Sequence, residues 1–200
     1  MGNLNEYGRE TEFTVSFDSV NKKFDTNQQI VYEFFRNAGI KKLAIAGIMG
    51  NIHVESRFDP TWKEQGSCGL CHWDGERKNR LAQYAQETGR DKSDINMQLD
   101  FILEEADENS TTYKDGDAVK CFEAFRTQYT VGTVRKAADY FTALYERCRS
   151  YSSPEEAAQA GEYDPNRFTV KNEYNGKYYI DNDYRRGYAE AYYQCMLKMI

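Results

Sequence analysis

Proline is scarce, with three in 200 residues, and positive charge is short: 26 Lys and Arg against 32 Asp and Glu leave a formal net charge of −6. No apolar run approaches the roughly 18–20 residues that a membrane span requires. Each shortage excludes a class. Few prolines and only 14 glycines rule out a fibrous or loop-dominated chain. The acidic balance makes the chain a poor phosphate-backbone binder, because counterion release needs clustered Lys and Arg, so no nucleic-acid partner is expected. The first ten residues, MGNLNEYGRE, carry neither a basic segment nor an apolar one, so no signal peptide is expected. Aromatics, by contrast, are abundant: 16 tyrosines and 11 phenylalanines within a 40% hydrophobic composition. Disordered chains lack that payload, and the length suits one domain with a core of its own.

The five cysteines, Cys68, Cys71, Cys121, Cys148 and Cys195, cannot all pair within one chain. Cys68-Gly-Leu-Cys71 has the spacing of a redox or zinc motif. No second such pair follows, and His72 sits too close to supply a usual ligand spacing for a four-ligand site. Free thiols are therefore expected, with no metal and no cofactor.

Hydrophobic periodicity predicts a mainly α (α+β) chain. Asp25 and Thr26 can cap a helix closed by Gly39. A second helix over about 41–56 is apolar nearly all round, as an interior helix is. Gly47 and Gly50 within it suggest close approach of a neighbouring element. Residues 57–75 read as a loop or short hairpin. Helices are expected again over about 76–88, 94–106, around 119–125, over 134–148, from Pro154 onward, and over 184–197. Asn175-Gly176, between Tyr-rich runs in 168–180, signals a tight hairpin. Phe13, Val15 and Phe17 alternate with polar residues as in a strand. The expected organisation is an N-terminal extension (1–23), a helical domain (24–150) and a C-terminal extension (151–200) packed on it. The acidic run Glu104-Glu105-Ala106-Asp107-Glu108 reads as a solvated helix end.

Glu55 is the most informative position. The stripe Ile45, Ile48, Ile52 advances in steps of three and four, and its next member is Glu55. Burial raises a carboxyl's pKa, and the negative end of the helix macrodipole acts in the same direction. Both favour a carboxylic acid that keeps its proton near neutral pH, as general-acid catalysis requires. The competing expectation is a glutamate swung into solvent at a frayed helix end, paired with Arg57.

The segment Ile48-Met49-Gly50-Asn51-Ile52-His53-Val54-Glu55-Ser56-Arg57-Phe58-Asp59-Pro60, followed by Gly66 and then Gly69-Leu70-Cys71-His72-Trp73-Asp74-Gly75-Glu76-Arg77, resembles the lysozyme-like superfamily of goose-type lysozymes and lytic transglycosylases. It is most similar to the phage tail lysozyme family. Gln98-Leu99-Asp100-Phe101 through Glu105, Ala138-x-Tyr140-Phe141, Tyr145-Glu146-Arg147 and Arg186-x-Tyr188-Ala189 extend the resemblance. The resemblance implies a lysozyme-like helical fold with a small β-hairpin element and a Tyr-rich C-terminal extension. It also implies that Glu55 is the acid catalyst acting on the β-1,4 bond between N-acetylmuramic acid and N-acetylglucosamine. A second catalytic carboxylate, where one is used, would be Asp74 or Asp59, although each also suits a turn or cap. Ser56, Phe58, Gly69, Leu70, His72, Trp73 and Tyr129 are the candidate substrate contacts, and Trp62 fits the core slightly better than the cleft. The family places Gln where His72 stands; an imidazole can also bond a sugar, and an unperturbed one titrates near pH 6.5. His53 falls on another face and is given no catalytic role.

The expected activity is that of a muramidase, with lytic transglycosylation giving 1,6-anhydro products as the alternative. A non-catalytic glycan-binding or structural module of a phage tail or secretion apparatus is the rival outside enzymology. A thiol peptidase built on Cys71 and His72 is disfavoured, because adjacent side chains point apart. The expected partners are peptidoglycan glycan strands and a larger delivering assembly. The expected place of action is the bacterial cell wall.

Overall fold

The computed structural model describes residues 24–127, 131–160, 167 and 170–199. The strand expected around 13–17 lies outside these residues, as does Tyr129. The described fold is mainly helical, with two small antiparallel sheets. In chain order it runs α1 (Thr26–Asn37), α2 (Lys42–Ser56), β1 (Lys63–Glu64), β2 (Ser67–Cys68), α3 (Gly75–Thr88), α4 (Ile95–Glu105) and α5 (Gly116–Arg126). It continues with α6 (Val134–Tyr140), a π-helical turn (Phe141–Glu146), β3 (Ser150–Tyr151), α7 (Pro154–Gln159), β4 (Tyr178–Tyr179) and α8 (Asn182–Lys198).

Helix α1 starts where its capping chemistry dictates. The Asp25 side chain accepts from Gln28 N at 2.8 Å, and the Gln28 side chain accepts from Asp25 N at 3.2 Å, a reciprocal box that satisfies two otherwise orphaned donors. Val31, Tyr32 and Phe35 then face inward. Helix α2 is the axis of the molecule: every residue from Ala44 to Ile52 is buried. Ile45, Ile48 and Ile52 are fully enclosed, a burial that stabilises by roughly 2 kcal/mol per side chain. Helices α6 and α8 lie against α2, and the two glycines explain how closely. A Cβ on Gly47 would stand 2.6 Å from Ala137, and one on Gly50 would stand 2.7 Å from the backbone nitrogen of Ala189.

Asn51 ties this centre together. Its amide donates to the carbonyls of Gly47 (2.9 Å) and Ala138 (3.0 Å), while its oxygen accepts from Thr142 Oγ1 (2.8 Å) and Arg185 Nη1 (3.0 Å). One buried side chain thereby links α2, α6, the π-helical turn and α8 with every polar atom used.

The loop after α2 contains the short hairpin β1–β2, with Lys63 opposite Cys68. Its turn residues Gln65 and Gly66 both adopt positive φ, 47° and 91°, the geometry that matches the twist of a two-residue hairpin. The C-terminal hairpin takes a different form from the one expected over 168–180. The Asn175-Gly176 turn is present, with Asn172 N donating to Lys177 O at 2.8 Å. Tyr178 and Tyr179, however, pair mainly with Tyr151 and Ser150. The incoming arm is drawn onto α6 instead, where Asn172 donates to the Asp139 carbonyl at 3.0 Å and Glu173 N donates to the Asp139 carboxylate.

A second correction concerns the acidic run. Glu105 is fully buried and not a solvated helix end. Arg77 grips both of its oxygens at 3.0 and 2.7 Å, and Tyr145 donates to it at 2.7 Å. A carboxylate is retained there because its lone pairs are all but fully occupied by charge-assisted bonds.

Candidate active site

The last turn of α2 leaves the core and opens into a cleft of about 1210 Å³. Its walls come from that turn, the 62–74 loop, the segment 146–149 and the start of α8. Arg57 closes α2 with a left-handed conformation (φ 53°), and Phe58 follows with φ 65°. Two consecutive left-handed non-glycine residues turn the chain back sharply over the end of the helix. Among the described residues, six non-glycines have positive φ, and five of them line the cleft: Arg57, Gln65, His72, Arg147 and Asp181. Each such conformation costs on the order of 1 kcal/mol or more and persists only where the surroundings enforce it, which is characteristic of functional sites.

Glu55, the penultimate residue of α2, projects into this cleft with its side chain 12% exposed. One carboxylate oxygen is ion-paired with Arg185 of α8, whose side chain is 2% exposed. The same oxygen lies 3.8 Å from the Cys148 thiol, and Arg185 Nη2 reaches that sulfur at 3.3 Å. The other oxygen faces His72 Nδ1 at 3.6 Å, while His72 Nε2 lies 3.9 Å from Glu64. Glu55 is thus neither swung into solvent nor paired with Arg57. It is held by a cation from a helix 130 residues further along the chain.

A second glutamate borders the same cleft. Glu146 ends the π-helical turn, and its Oε1 is enclosed without a hydrogen-bond partner. Burial holds its carboxyl well above the usual carboxylate range, and the like charge of Glu55 adds to this, against the opposing pull of Arg185 and Arg77. Burial likewise pushes the Cys71 and Cys148 thiols up. Both remain thiols and not thiolates, the reverse of an activated cysteine nucleophile. Among the described residues no disulfide joins any two cysteines.

Residues 26–196 match the family described as phage tail lysozyme. The chain belongs to this family. The match runs into α8 and so includes Arg185 as well as Glu55 and Glu146. Morphogenesis protein 1 of Bacillus phage B103 is 27% identical over 146 residues, which are 70% of this chain and 38% of that protein. The chain therefore spans well under half the length of that relative. The cleft of this family member is framed by the end of the central helix and the loop that follows it.

Of the expected contact residues, Ser56, His72 and Trp73 line the cleft, and Phe58, Gly69 and Leu70 do not. His72 lies beside Glu55 in the cleft. Ser56, Leu70, Phe58 and Trp73 are buried to 1% exposure or less. Ser56 donates to the Leu70 carbonyl at 2.9 Å, which ties the loop to the end of α2. Phe58 packs edge-on against His53 and Tyr192, and Trp73 packs against Phe101. Phe58 is enclosed away from the cleft, whereas Trp73 borders it with most of its ring covered by protein. Gly69 (φ 77°) allows close contact: a Cβ there would stand 2.9 Å from both the Trp73 ring and Gln98. Gln98 accepts from Leu70 N and donates to the carbonyls of Pro60 and Lys92, clamping the loop. Trp62, given to the core by sequence, is instead half-buried on the cleft wall with its indole N–H unpaired. Asp59 accepts from the Thr61 amide and hydroxyl at 2.8 and 2.7 Å, as a turn residue does. Asp74 is exposed at the start of α3, on the cleft rim.

Arg185, Cys148 and Glu146 escaped the sequence reading as site residues. Only the tight glycine Gly50 hinted at Arg185, because it marks where the backbone of α8 crosses α2.

Proposed function

We propose that this chain cleaves the glycan strands of peptidoglycan as a muramidase, with Glu55 delivering a proton to the leaving oxygen of the β-1,4 bond between N-acetylmuramic acid and N-acetylglucosamine. The observation that carries this reading is a largely buried glutamate at the end of the central helix, aimed into a polar cleft, in a chain of the phage tail lysozyme family. The cleft holds several sugar rings by volume, since ligand sites of about 300–1,000 Å³ accommodate drug-sized molecules. Trp62 is the aromatic platform for a sugar face, and its indole N–H is a donor for an acetamido carbonyl. His72 positions the Glu55 carboxyl and bonds the sugar on its other side. Protonation by Glu55 lets an oxocarbenium-like transition state develop, and water completes the cleavage. The wall is the place of action and a phage assembly the means of delivery, a reading supported by the family and by the phage origin of the B103 relative.

The test is the clearing of purified sacculi by the wild-type protein and by Glu55→Gln. The isosteric amide keeps the shape and removes the acid. Wild type clears the suspension; Glu55→Gln is slower by roughly 10²–10⁴-fold, the range of a general acid's contribution. Equal clearing by both would remove Glu55 from the mechanism.

A further inference from the structure

Glu55 faces a difficulty as a proton donor: its carboxylate is ion-paired with a buried arginine. An acid needs a proton in hand, so the cleft requires a group that holds one while Arg185 occupies Glu55. Glu146 meets the requirement by position. It lines the same cleft, its Oε1 is sealed from solvent, and that oxygen accepts no hydrogen bond. With the Cys71 thiol as a weak donor to the group and Oε1 left bare, an ionised carboxylate there would carry a desolvation cost that is only partly offset. The backbone that places it is also unusual. A π-helical turn ends at Glu146, and the next residue, Arg147, is left-handed at φ 53°. Such π-turns inside helices recur at functional sites. Asp59 and Asp74 offer nothing comparable, being engaged in a turn and exposed on the rim, respectively.

Resting on the muramidase reading, we infer that Glu146 is the positioning carboxyl of the site, sharing a single proton with Glu55 across the Arg185 guanidinium. In the free enzyme the proton sits on Glu146, and Glu55 is the carboxylate paired with Arg185. When substrate fills the cleft, Glu146 loses its proton and Glu55 gains it, so the pair's charge is unchanged. Glu55 then gives that proton to the glycosidic oxygen as the bond to the anomeric carbon breaks. Water adds its hydroxide to that carbon and returns its remaining proton to the pair. A buried carboxyl that keeps its proton beside an ion-paired one suits such a division of roles.

The groups that act on Glu146 are Glu55 from α2, Cys71 from the loop, Arg77 from α3, Cys121 from α5, Cys148, a thiol that burial keeps neutral, and Arg185 from α8. Arg77 is committed to Glu105 and Tyr145. Cys71 and Cys121 are thiols that burial keeps neutral. This leaves Glu55 and Arg185 as the charges that change Glu146's state as the cleft fills.

Two measurements test the inference. The first is infrared difference spectroscopy of the free protein at neutral pH. Wild type shows the carbonyl band of a protonated carboxyl, and Glu146→Gln lacks it. Absence of the band from wild type overturns the inference without reliance on any variant. The second is the pH profile of sacculus cleavage. Glu146→Gln moves the alkaline limb of kcat/KM at least one pH unit toward acid and lowers kcat at neutral pH at least tenfold, with a melting temperature no lower than that of wild type as the control for folding. A residue that served structure alone would leave the alkaline limb in place, and that result overturns the inference. Wild-type protein that shows the band but cleaves no sacculi would refute the muramidase reading and, with it, the catalytic use of the Glu146 proton.

Discussion

Arg185 is a buried cation with four partners: the Glu55 carboxylate, the Asn51 oxygen, the Cys148 sulfur and the Ile180 carbonyl. Arg185→Gln leaves Glu55 without its counter-charge and Asn51 short of a donor. Breaking one side of a buried pair costs about 3–5 kcal/mol, so urea denaturation of Arg185→Gln is expected to show a loss of that size. A loss below about 1 kcal/mol would mean that the pair is exposed in solution. The residue scale also marks the limit of what sequence could reveal. Glu55 was legible because a charge interrupts an apolar stripe, although α2 proves buried on all sides, so the stripe alone did not define a face. Arg185 and Glu146 were not legible, because an arginine and a glutamate on amphipathic helices have the same pattern whether they meet solvent or one another. Phe58 is a related case: an aromatic near a candidate acid builds its scaffold as readily as its subsites.

At the level of elements, the crossing of α2 and α8 fixes the distance between Glu55 and its partner. Gly50 permits that crossing. Alanine at Gly50 would gain about 1 kcal/mol of helix propensity. It would also put a Cβ 2.7 Å from the Ala189 backbone nitrogen, and such overpacking against backbone costs about 1–3 kcal/mol or more. Gly50→Ala is therefore expected to lower the melting temperature and, by moving α8, to weaken activity. Gly116→Ala is the contrast: nothing lies within 4 Å of its added Cβ, so that variant melts at or slightly above wild type. Reversal of this order in thermal melts would contradict the tight crossing. Helices were the most legible elements, because α1, α3, α4 and α5 carry their caps and stripes locally. The β3–β4 pairing was not, because it joins residues 150–151 to 178–179 through contacts that depend on Asp139 and α6. The six-residue π-helical turn was likewise invisible, since its period differs from α by too little to register in so short a run.

Over the whole molecule, stability carries a pH signature from His53. Its ring stacks on Tyr188 at 3.8 Å and its Nδ1 bonds the Tyr192 hydroxyl at 2.6 Å, closing α8 onto α2. Burial, with Arg57 adding to it, lowers its pKa from 6.5 to about 4. A histidine held neutral in the fold contributes stability that is fully present above its unfolded pKa and lost as pH falls through the folded one. Unfolding free energy is thus expected to decline as pH drops from about 6.5 to about 4, by up to about 3 kcal/mol for this group. Glu146, raised in the fold, acts with the opposite sign, destabilising as pH rises above its unfolded value. The difference between wild type and His53→Gln isolates the histidine, and parallel pH curves for the two proteins would contradict the assignment.

Under the proposed activity, the net charge of −6 bears on how the protein would reach its substrate. An acidic protein gains no electrostatic steering toward an anionic wall, which would favour placement by a larger assembly over free diffusion. What the protein does on arrival is decided by the chemistry of its products. Purified sacculi digested by wild type and by Glu55→Gln, with the soluble fragments read by mass spectrometry, give that answer directly. Wild type is expected to release muropeptides with reducing N-acetylmuramic acid ends, and Glu55→Gln roughly 10²–10⁴-fold less of them. Ends in 1,6-anhydro form would replace hydrolysis by transglycosylation, and intact glycan strands after wild-type treatment would contradict the account at its centre.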